Sequence, residues 1–374
     1  MNEPKSRQQK KIAIFAATSG HSGVDRVMSN LVPGLAEHGY LVDLLRISGH
    51  GPYLQENHSN IRIQELGSKH VSTSLLPLAK YLKLHKPDVL LTDKDRVNRT
   101  AVLARMLVKS KSRLVLRLGT TVSVNLQNRG FWQRSLQTAS IRLLYPLADN
   151  IIVPSHGLVQ DLVSVGKLDP DQIKVVPSPI ITDKMLEQSR EEVEHPWLKV
   201  KKLPVLLGVG ELSARKDYQT LIKALALLRP MLECRLIILG EGRQRQTLED
   251  IAKELKVDDI LDLPGFVTNP YAYMAKADLF VHSSKWEGLG IVLVEALGLG
   301  TPVVSTDCPS GPREILQEDN SENLARVGDH RDLAQKIYCS LRKNKVSTTK
   351  IKKNVKKFHQ NISVNKYIQS LLDQ

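Results

Sequence analysis

The chain has 374 residues, with 53 Lys and Arg against 39 Asp and Glu, a net charge of +14 and three cysteines. That length leaves room for one to three domains with full-sized cores, while the widely spaced Cys234, Cys308 and Cys339 give neither a disulfide framework nor a zinc spacing and point to a reducing compartment. No apolar run reaches the ~18–20 residues of a membrane span, and the polar, basic N-terminal stretch lacks the apolar core of a signal peptide, so a cytoplasmic location is expected.

Residues 11–17 (KIAIFAA) read as a buried strand, 18–23 (TSGHSG) as a glycine-rich turn, 24–38 as a helix with apolar spacing and 41–47 as the next strand. Strand, turn, helix and strand in that order open a doubly wound parallel sheet. Further strands are expected at 87–92 and 113–118, with a helix at 98–109 between them. The stretch 129–147 mixes Arg129, Arg134 and Arg142 with Phe131, Trp132 and leucines at helical spacing. Two readings fit it: a surface helix packed on its domain, or a face that meets anionic lipid. A strand at 151–154 and the run VVPSP at 175–179 close this half. Residues 181–203 are charged, contain Pro196 and lack strand periodicity, so they read as a linker.

A second series begins with a strand at 205–210, a loop carrying Arg215 and Lys216, and a helix at 218–228. A strand at 236–239 runs into Gly240-Glu241-Gly242, and a strand and turn follow at 260–267, ending at Val267. A helix at 271–277 precedes VHSSKWEGLGIVLVEALGLGTPVVSTDCPSGPREI, which starts at Val281. Here a strand meets a glycine turn over 287–290, and an apolar helix over 291–299 is stopped by Gly300 and Pro302. A strand at 303–305 completes a βαβ unit. The backbone of Leu289, Gly290 and Ile291 then presents free N–H groups and the positive end of a helix dipole, an arrangement that binds phosphate.

Two carboxylates flank that turn. Glu295 lies among Val292, Leu293, Val294, Ala296 and Leu297. It either faces water from an amphipathic helix or accepts hydrogen bonds from a diol such as a ribose, since an uncompensated buried charge is costly. Hydrolysis by Glu287 and Glu295 as an acid/base pair fits poorly. Eight helical residues would set them roughly 12 Å apart, beyond the roughly 5–9.5 Å of glycoside hydrolases.

The pattern Glu-x7-Glu with its Gly-Thr-Pro-Val-Val strand, and the longer run WEGLGIVLVEALGLGTPVVSTDCPSGPREI, resemble retaining glycosyltransferases of family 4. The resemblance implies the α/β GT-B architecture of two Rossmann-like, doubly wound domains facing a cleft. It implies an acceptor-binding domain over 10–180, the linker 181–203, a nucleotide-sugar domain over 204–355, and a last helix in 356–374 that packs back on the first domain. Glu295 would hold the ribose, Glu287 would lie by the sugar, and Leu289 to Ile291 would meet the diphosphate. Gly23 of the first loop, Gly240 and Val267 would line the nucleotide-sugar site. The family motif Gly-Arg-Leu-x-x-x-Lys places Lys216 on the leaving diphosphate but has Glu211 in place of its arginine; Arg215 is the candidate to compensate. Gly119 stands where the family often carries a histidine, and His21 is an alternative imidazole.

The implied reaction is retaining transfer of a sugar from a nucleotide-diphosphate sugar, expected to be UDP-linked, to a glycan or lipid-linked acceptor. The SGPREI run at 310–315 resembles bacterial members that build lipopolysaccharide, capsule or glycolipid. Basic side chains can replace a metal, so no cofactor and no metal are expected. The basic run at 342–357 lacks interleaved aromatics, which argues against nucleic acid. Positive charge fits a peripheral place on the anionic inner leaflet. An epimerase or phosphorylase of the same fold and a catalytically silent nucleotide-sugar-binding protein are the alternatives.

Overall fold

A computed structural model describes residues 9–20, 22–54, 58–127, 129–316, 322–342 and 352–372. The chain forms two compact units: Met1–Ile180 with Gln360–Gln374, and Ile181–His359.

The first unit is built on a seven-stranded sheet. Its strands are β1 (Lys11–Ala16), β2 (Leu41–Arg46), β3 (Ile61–Glu65), β4 (Val89–Asp93), β5 (Arg113–Arg117), β6 (Asn150–Val153) and β7 (Ile173–Val175), in the order β3-β2-β1-β4-β5-β6-β7. Every pairing is parallel. The central strands are continuous apolar runs because both faces are covered. On one face, α1 (Gly23–Glu37) and the C-terminal helix (Gln360–Leu372) pack Leu31, Leu35, Val364 and Tyr367 against Ile12, Ile14 and Val115. A Cβ at Gly34 would come 2.6 Å from Val364, so glycine lets the two helices approach closely. The last helix thus belongs to the first unit, as the GT-B resemblance implies.

The other face is covered by α2 (Leu75–His85), α3 (Asp95–Leu107), α4 (Val122–Gln127), α5 (Phe131–Leu144) and α6 (His156–Gly166). The turn before α1 is set by reciprocal capping. The Ser22 hydroxyl accepts from the Asp25 amide, and the Asp25 carboxylate accepts from the Ser22 amide at 2.8 Å.

The second unit holds a six-stranded parallel sheet. It comprises β8 (Val205–Val209), β9 (Arg235–Leu239), β10 (Leu261–Gly265), β11 (Leu279–His282), β12 (Val303–Thr306) and β13 (Leu324–Ala325), in the order β10-β9-β8-β11-β12-β13. Residues 181–203, read from sequence as a linker, group with this unit and carry α7 (Asp183–Gln188) and α8 (Pro196–Lys199). They are fastened to the second sheet's side of the chain: Asn269 donates to the Gln188 carbonyl at 2.8 Å, and His195 contacts Asp262 at 2.8 Å. The remaining helices are α9 (Tyr218–Leu228), α10 (Arg245–Glu254), α11 (Pro270–Lys276), α12 (Ile291–Leu299), α13 (Pro312–Leu316) and α14 (His330–Arg342). Helix α12 is apolar on all sides, and a helix of that kind has to be buried; residues Leu293 to Gly298 are.

Candidate active site

In the second sheet the chain winds outward from β8 through β9 to β10, then returns to lay β11, β12 and β13 on the other flank. The strand order therefore reverses between β8 and β11. In open α/β sheets the crevice beyond the carboxyl ends of the strands at such a reversal is where ligands bind. The loop after β8 carries Arg215 and Lys216, and the loop after β11 carries Glu287. Sequence distance separates them by some seventy residues; the switch point brings them together.

The two loops are stitched by backbone. Ser283 Oγ donates to the Lys216 carbonyl at 2.7 Å and the Lys285 amide to the Arg215 carbonyl at 2.8 Å. On that frame Lys216 Nζ donates to Glu287 Oε1 at 2.7 Å and Arg215 Nη1 to Oε2 at 2.7 Å. Ser284 Oγ also donates to Oε1 at 2.9 Å, and His282 Nε2 lies 3.4 Å from it. Burial pushes the Glu287 carboxyl upward, but the Lys216 charge, the His282 hydrogen bond and the Arg215 charge outweigh it and hold the group well below the usual carboxylate range. Burial holds His282 below the usual imidazole value, so it is neutral; its Nε2 faces Glu287 and its Nδ1 faces Ser305 Oγ at 2.9 Å. Burial also pushes the nearby Cys308 thiol up to about 12, so it stays protonated and is no nucleophile.

Two cations on one carboxylate leave a net positive charge. Lys216 is buried, whereas the Arg215 side chain keeps 34% of its surface exposed. The sequence expectation set Glu287 against the sugar; here both of its oxygens are engaged by side chains of the protein. In this arrangement it holds the Arg215 and Lys216 side chains in place. Glu211, which replaces the family arginine, is exposed, so Arg215 is the second cation of the cluster.

The turn that follows leads into α12. Gly290 has φ +86°, a left-handed conformation that glycine adopts without strain, and it turns the chain into the helix. Gly311, φ +97°, lies against the same turn: a Cβ there would sit 2.0 Å from the Leu289 carbonyl oxygen. The SGPREI run thus braces the backbone of Leu289, Gly290 and Ile291. Glu295, one turn into α12, is 1% exposed and does not face bulk water. Tyr271 of α11 donates to its Oε1 at 3.2 Å.

Gly240 and Val267 follow β9 and β10 on the same edge of this sheet. A Cβ at Gly240 would lie 2.0 Å from the Gly210 carbonyl oxygen, and one at Gly242 2.3 Å from that of Leu212. These glycines let two loops cross at backbone distance. Val267 is half-buried beside Phe266, which is 60% exposed.

Gly23 belongs to the first unit, at the start of α1. His21 and residues 343–351 of the basic run lie outside the described residues. The first unit holds a cluster that sequence reading missed. At the carboxyl ends of β4 and β5, Arg117 forms a buried ion pair with Asp93, and it donates through Nε to Tyr367 Oη at 2.8 Å and through Nη2 to Ser178 Oγ at 2.9 Å. Gly119 lies directly over it, a Cβ there coming 3.1 Å from Arg117 Nη1. An arginine at the end of an apolar strand was the available signal.

The model described as "Glycosyltransferase Family 4" matches residues 21–184, and "Glycosyl transferases group 1" matches 189–358. Over 352 residues the chain is 31% identical to the N-acetylgalactosamine-N,N'-diacetylbacillosaminyl-diphospho-undecaprenol 4-alpha-N-acetylgalactosaminyltransferase of Campylobacter jejuni, spanning 90% of this chain and 92% of that protein. It is 27% identical over 320 residues to the lipopolysaccharide core biosynthesis glycosyltransferase LpsE of Rhizobium meliloti, spanning 84% of each. Among solved structures, Anabaena Alr3699/HepE in complex with UDP and glucose aligns with a TM-score of 0.76 at 18% identity, covering 98% of this chain and 100% of that one. The lipopolysaccharide outer core galactosyltransferase WaaB in its apo form aligns at 0.74 and 19%, covering 96% and 98%.

Proposed function

The chain belongs to glycosyltransferase family 4 and has the GT-B fold, and from that premise we propose that it transfers a sugar from UDP to a lipid-linked glycan acceptor in bacterial surface-polysaccharide synthesis, with retention at the anomeric carbon. The observation that carries this reading is the meeting of Arg215 and Lys216 on Glu287, in the turn that leads into α12, at the switch point of the second sheet. As the bond between the anomeric carbon and the diphosphate oxygen breaks, negative charge collects on the leaving group. Fixed donors aimed at that charge are worth more there than in water. Arg215 and Lys216 face it as cations and the amides at 290–292 as neutral donors. Glu287 keeps the two cations in place. Glu295 accepts from the ribose hydroxyls, and Val267 and Gly240 line the base.

The acceptor hydroxyl attacks the anomeric carbon, and its proton leaves with the diphosphate. The Campylobacter and Rhizobium relatives support a lipid-linked or lipopolysaccharide acceptor, and the HepE neighbour supports UDP. Since two side-chain cations already oppose the diphosphate, no metal is needed; turnover should survive chelator.

A panel of UDP-, GDP- and ADP-sugars tests the donor. UDP-sugars should raise the melting temperature and be consumed when a polyprenyl-diphosphate glycan is present. Interconversion of a nucleotide-sugar without any acceptor would replace this reading with an epimerase. Binding without turnover on any acceptor would leave a nucleotide-sugar-binding protein.

A further inference from the structure

Arg245, at the start of α10, bonds to three stretches of chain beside the proposed base site. Its Nε and Nη2 donate to Glu241 Oε2 and Oε1 at 3.0 and 2.6 Å, the two-pronged grip that a guanidinium makes on a carboxylate. Its Nη1 donates to the Leu263 carbonyl at 3.0 Å and to Glu249 Oε1 at 3.2 Å. Glu241 belongs to the turn after β9, Leu263 to β10 and Glu249 to α10 itself. Strand β10 is the edge of the second sheet and pairs with β9. Asp262 pairs with Ile237 and Gly265 with Leu239, so β10 spends one residue more than β9 over that span. This is a bulge, which interrupts the ladder, and it contains Pro264, which has no N–H to offer. The carbonyl just before that proline is the one Arg245 takes.

Gly265 leaves the bulge at φ +92°, and Gly240 donates to its carbonyl at 2.8 Å. A Cβ on Gly265 would come 2.9 Å from Glu241 Oε1, so the carboxylate that Arg245 grips lies against the backbone that runs on to Phe266 and Val267. The Glu241 carbonyl accepts from the Leu212 amide at 2.9 Å, and the Leu212 carbonyl from the Gln244 amide at 3.1 Å. The cations have a support of their own, since Glu287 holds Arg215 and Lys216. Groups that tell one base from another have to be fixed to within about 0.5 Å, and an edge strand that ends in a bulge has few ladder bonds to fix it. We propose that Arg245 is a positioning residue for base selection: through Glu241 and the Leu263 carbonyl it fixes the backbone of 265–267 against which the nucleobase is read. This role rests on the nucleotide-sugar reading above and adds the side chain on which the choice of base depends. The Arg245 and Glu241 side chains are 30% and 53% exposed. An exposed pair of this kind adds little to stability, so loss of Arg245 should show in selectivity rather than in folding.

The test is calorimetric titration of the full-length protein with UDP and with CDP. Uracil and cytosine match in size but differ at one ring position, an acceptor oxygen in the first and a donor amino group in the second. Wild type should prefer UDP by at least about tenfold, because a site built for one hydrogen-bond pattern leaves groups unpaired with the other. Arg245→Met should weaken UDP binding about tenfold and bring the two nucleotides within a few-fold of each other. Arg245→Lys keeps the charge and loses the planar fork, so it should lose the preference as well. It separates positioning from charge, and it carries the comparison where the methionine variant does not fold. Arg215→Met, at the phosphate end, should weaken UDP and CDP alike and keep their ratio. In turnover, both Arg245 variants should raise KM for the UDP-sugar and leave kcat within a few-fold of wild type, the mark of lost ground-state binding. Wild type that binds no nucleoside diphosphate would overturn the nucleotide-sugar reading and this role with it. Wild type indifferent to the base, or Arg245 variants that keep the wild-type ratio, would overturn this role alone.

Discussion

Lys216 Nζ and Glu287 Oε1 meet at 2.7 Å, both side chains buried, across the point where the second sheet reverses its winding. Breaking one partner of such a pair leaves the other charge uncompensated, at a cost of about 3–5 kcal/mol. Glu287→Gln should therefore destabilise the protein by that order in urea unfolding. Glu287→Gln/Lys216→Met should recover part of the loss, because the only cation then left without its carboxylate is Arg215, which is partly exposed. Turnover should not recover: removing a donor aimed at developing charge costs about 10²–10³ in kcat, and the double variant lacks Lys216. A Lys216→Met that costs as much in the Glu287→Gln background as in wild type would show that the pair is not coupled.

The same cluster sets a pH dependence. The folded carboxyl of Glu287 lies below its unfolded value, about 4.3, so its contribution is fully present above that value and is lost as pH falls toward the folded one. His282 is also lowered, first by burial. Its unfolded form takes a proton below about pH 6.5 while the folded form resists. Stability should therefore decline in two stages on acidification, the first setting in below about pH 6.5 from imidazole and the second below about 4.3 from carboxylate. His282→Gln should flatten the first stage and leave the second. His359, also lowered by burial, will keep some slope in both proteins, so the informative quantity is the difference between them in unfolding free energy across pH.

Much of this site could be read before the structure was known. The alternation of apolar strands and helices gave both Rossmann-like units, because parallel strands buried on two faces have to be continuous apolar runs. Glu295 was legible for the same reason: a carboxylate inside an all-apolar helix has to be explained. The partners of Glu287 were not legible. No local pattern in 281–300 records that Arg215 and Lys216 follow a different strand, and only the strand order places the two loops side by side. The Arg117 cluster was hidden likewise, since Asp93, Ser178 and Tyr367 are distant in sequence and meet through the return of the last helix. The 181–203 stretch reads as a linker because its helices are short and its anchors, Asn269 and Asp262, lie far along the chain.

Gly311 and Gly290 brace one turn in different ways. Gly290→Ala meets Leu293 at 3.3 Å and forces a non-glycine residue to φ +86°, a cost of about 1–2 kcal/mol. Gly311→Ala adds a backbone collision, its Cβ 2.0 Å from the Leu289 carbonyl oxygen, which no side-chain movement relieves. It should be the more destabilising of the two by thermal unfolding. Since the displaced atoms belong to the proposed diphosphate loop, it should also weaken UDP binding in calorimetry more than UMP binding.

Arg117 ties the C-terminal helix to the first sheet through Tyr367. Burial alone would lower the guanidinium's proton affinity, but Asp93 and Tyr367 raise it, so the charge is permanent. Tyr367→Phe removes one hydrogen bond to a charged donor, worth about 1.5–3 kcal/mol. Hydrogen exchange should accelerate in 360–372 and in α1, which packs against it, while amides of the second sheet keep their protection. Asp93→Asn should cost more, about 3–5 kcal/mol, because it strands a fully buried arginine.

Glu295 and the ribose make the sharpest test of the nucleotide reading. A carboxylate accepting hydrogen bonds from a diol contributes about 1.5–3 kcal/mol, so Glu295→Gln should weaken UDP binding about ten- to a hundredfold. A buried carboxylate that served only Tyr271 could give a similar loss through local distortion. A cycle with 2',3'-dideoxy-UDP separates the two. If Glu295 holds the hydroxyls, wild type should discriminate strongly between UDP and the dideoxy analogue, and Glu295→Gln should bind the two within a few-fold of each other. Tyr271→Phe, which removes one hydrogen bond from the protein to Oε1, should keep the discrimination. Discrimination that persists unchanged in Glu295→Gln would remove the ribose from this residue and with it the assignment of α12 to the nucleotide.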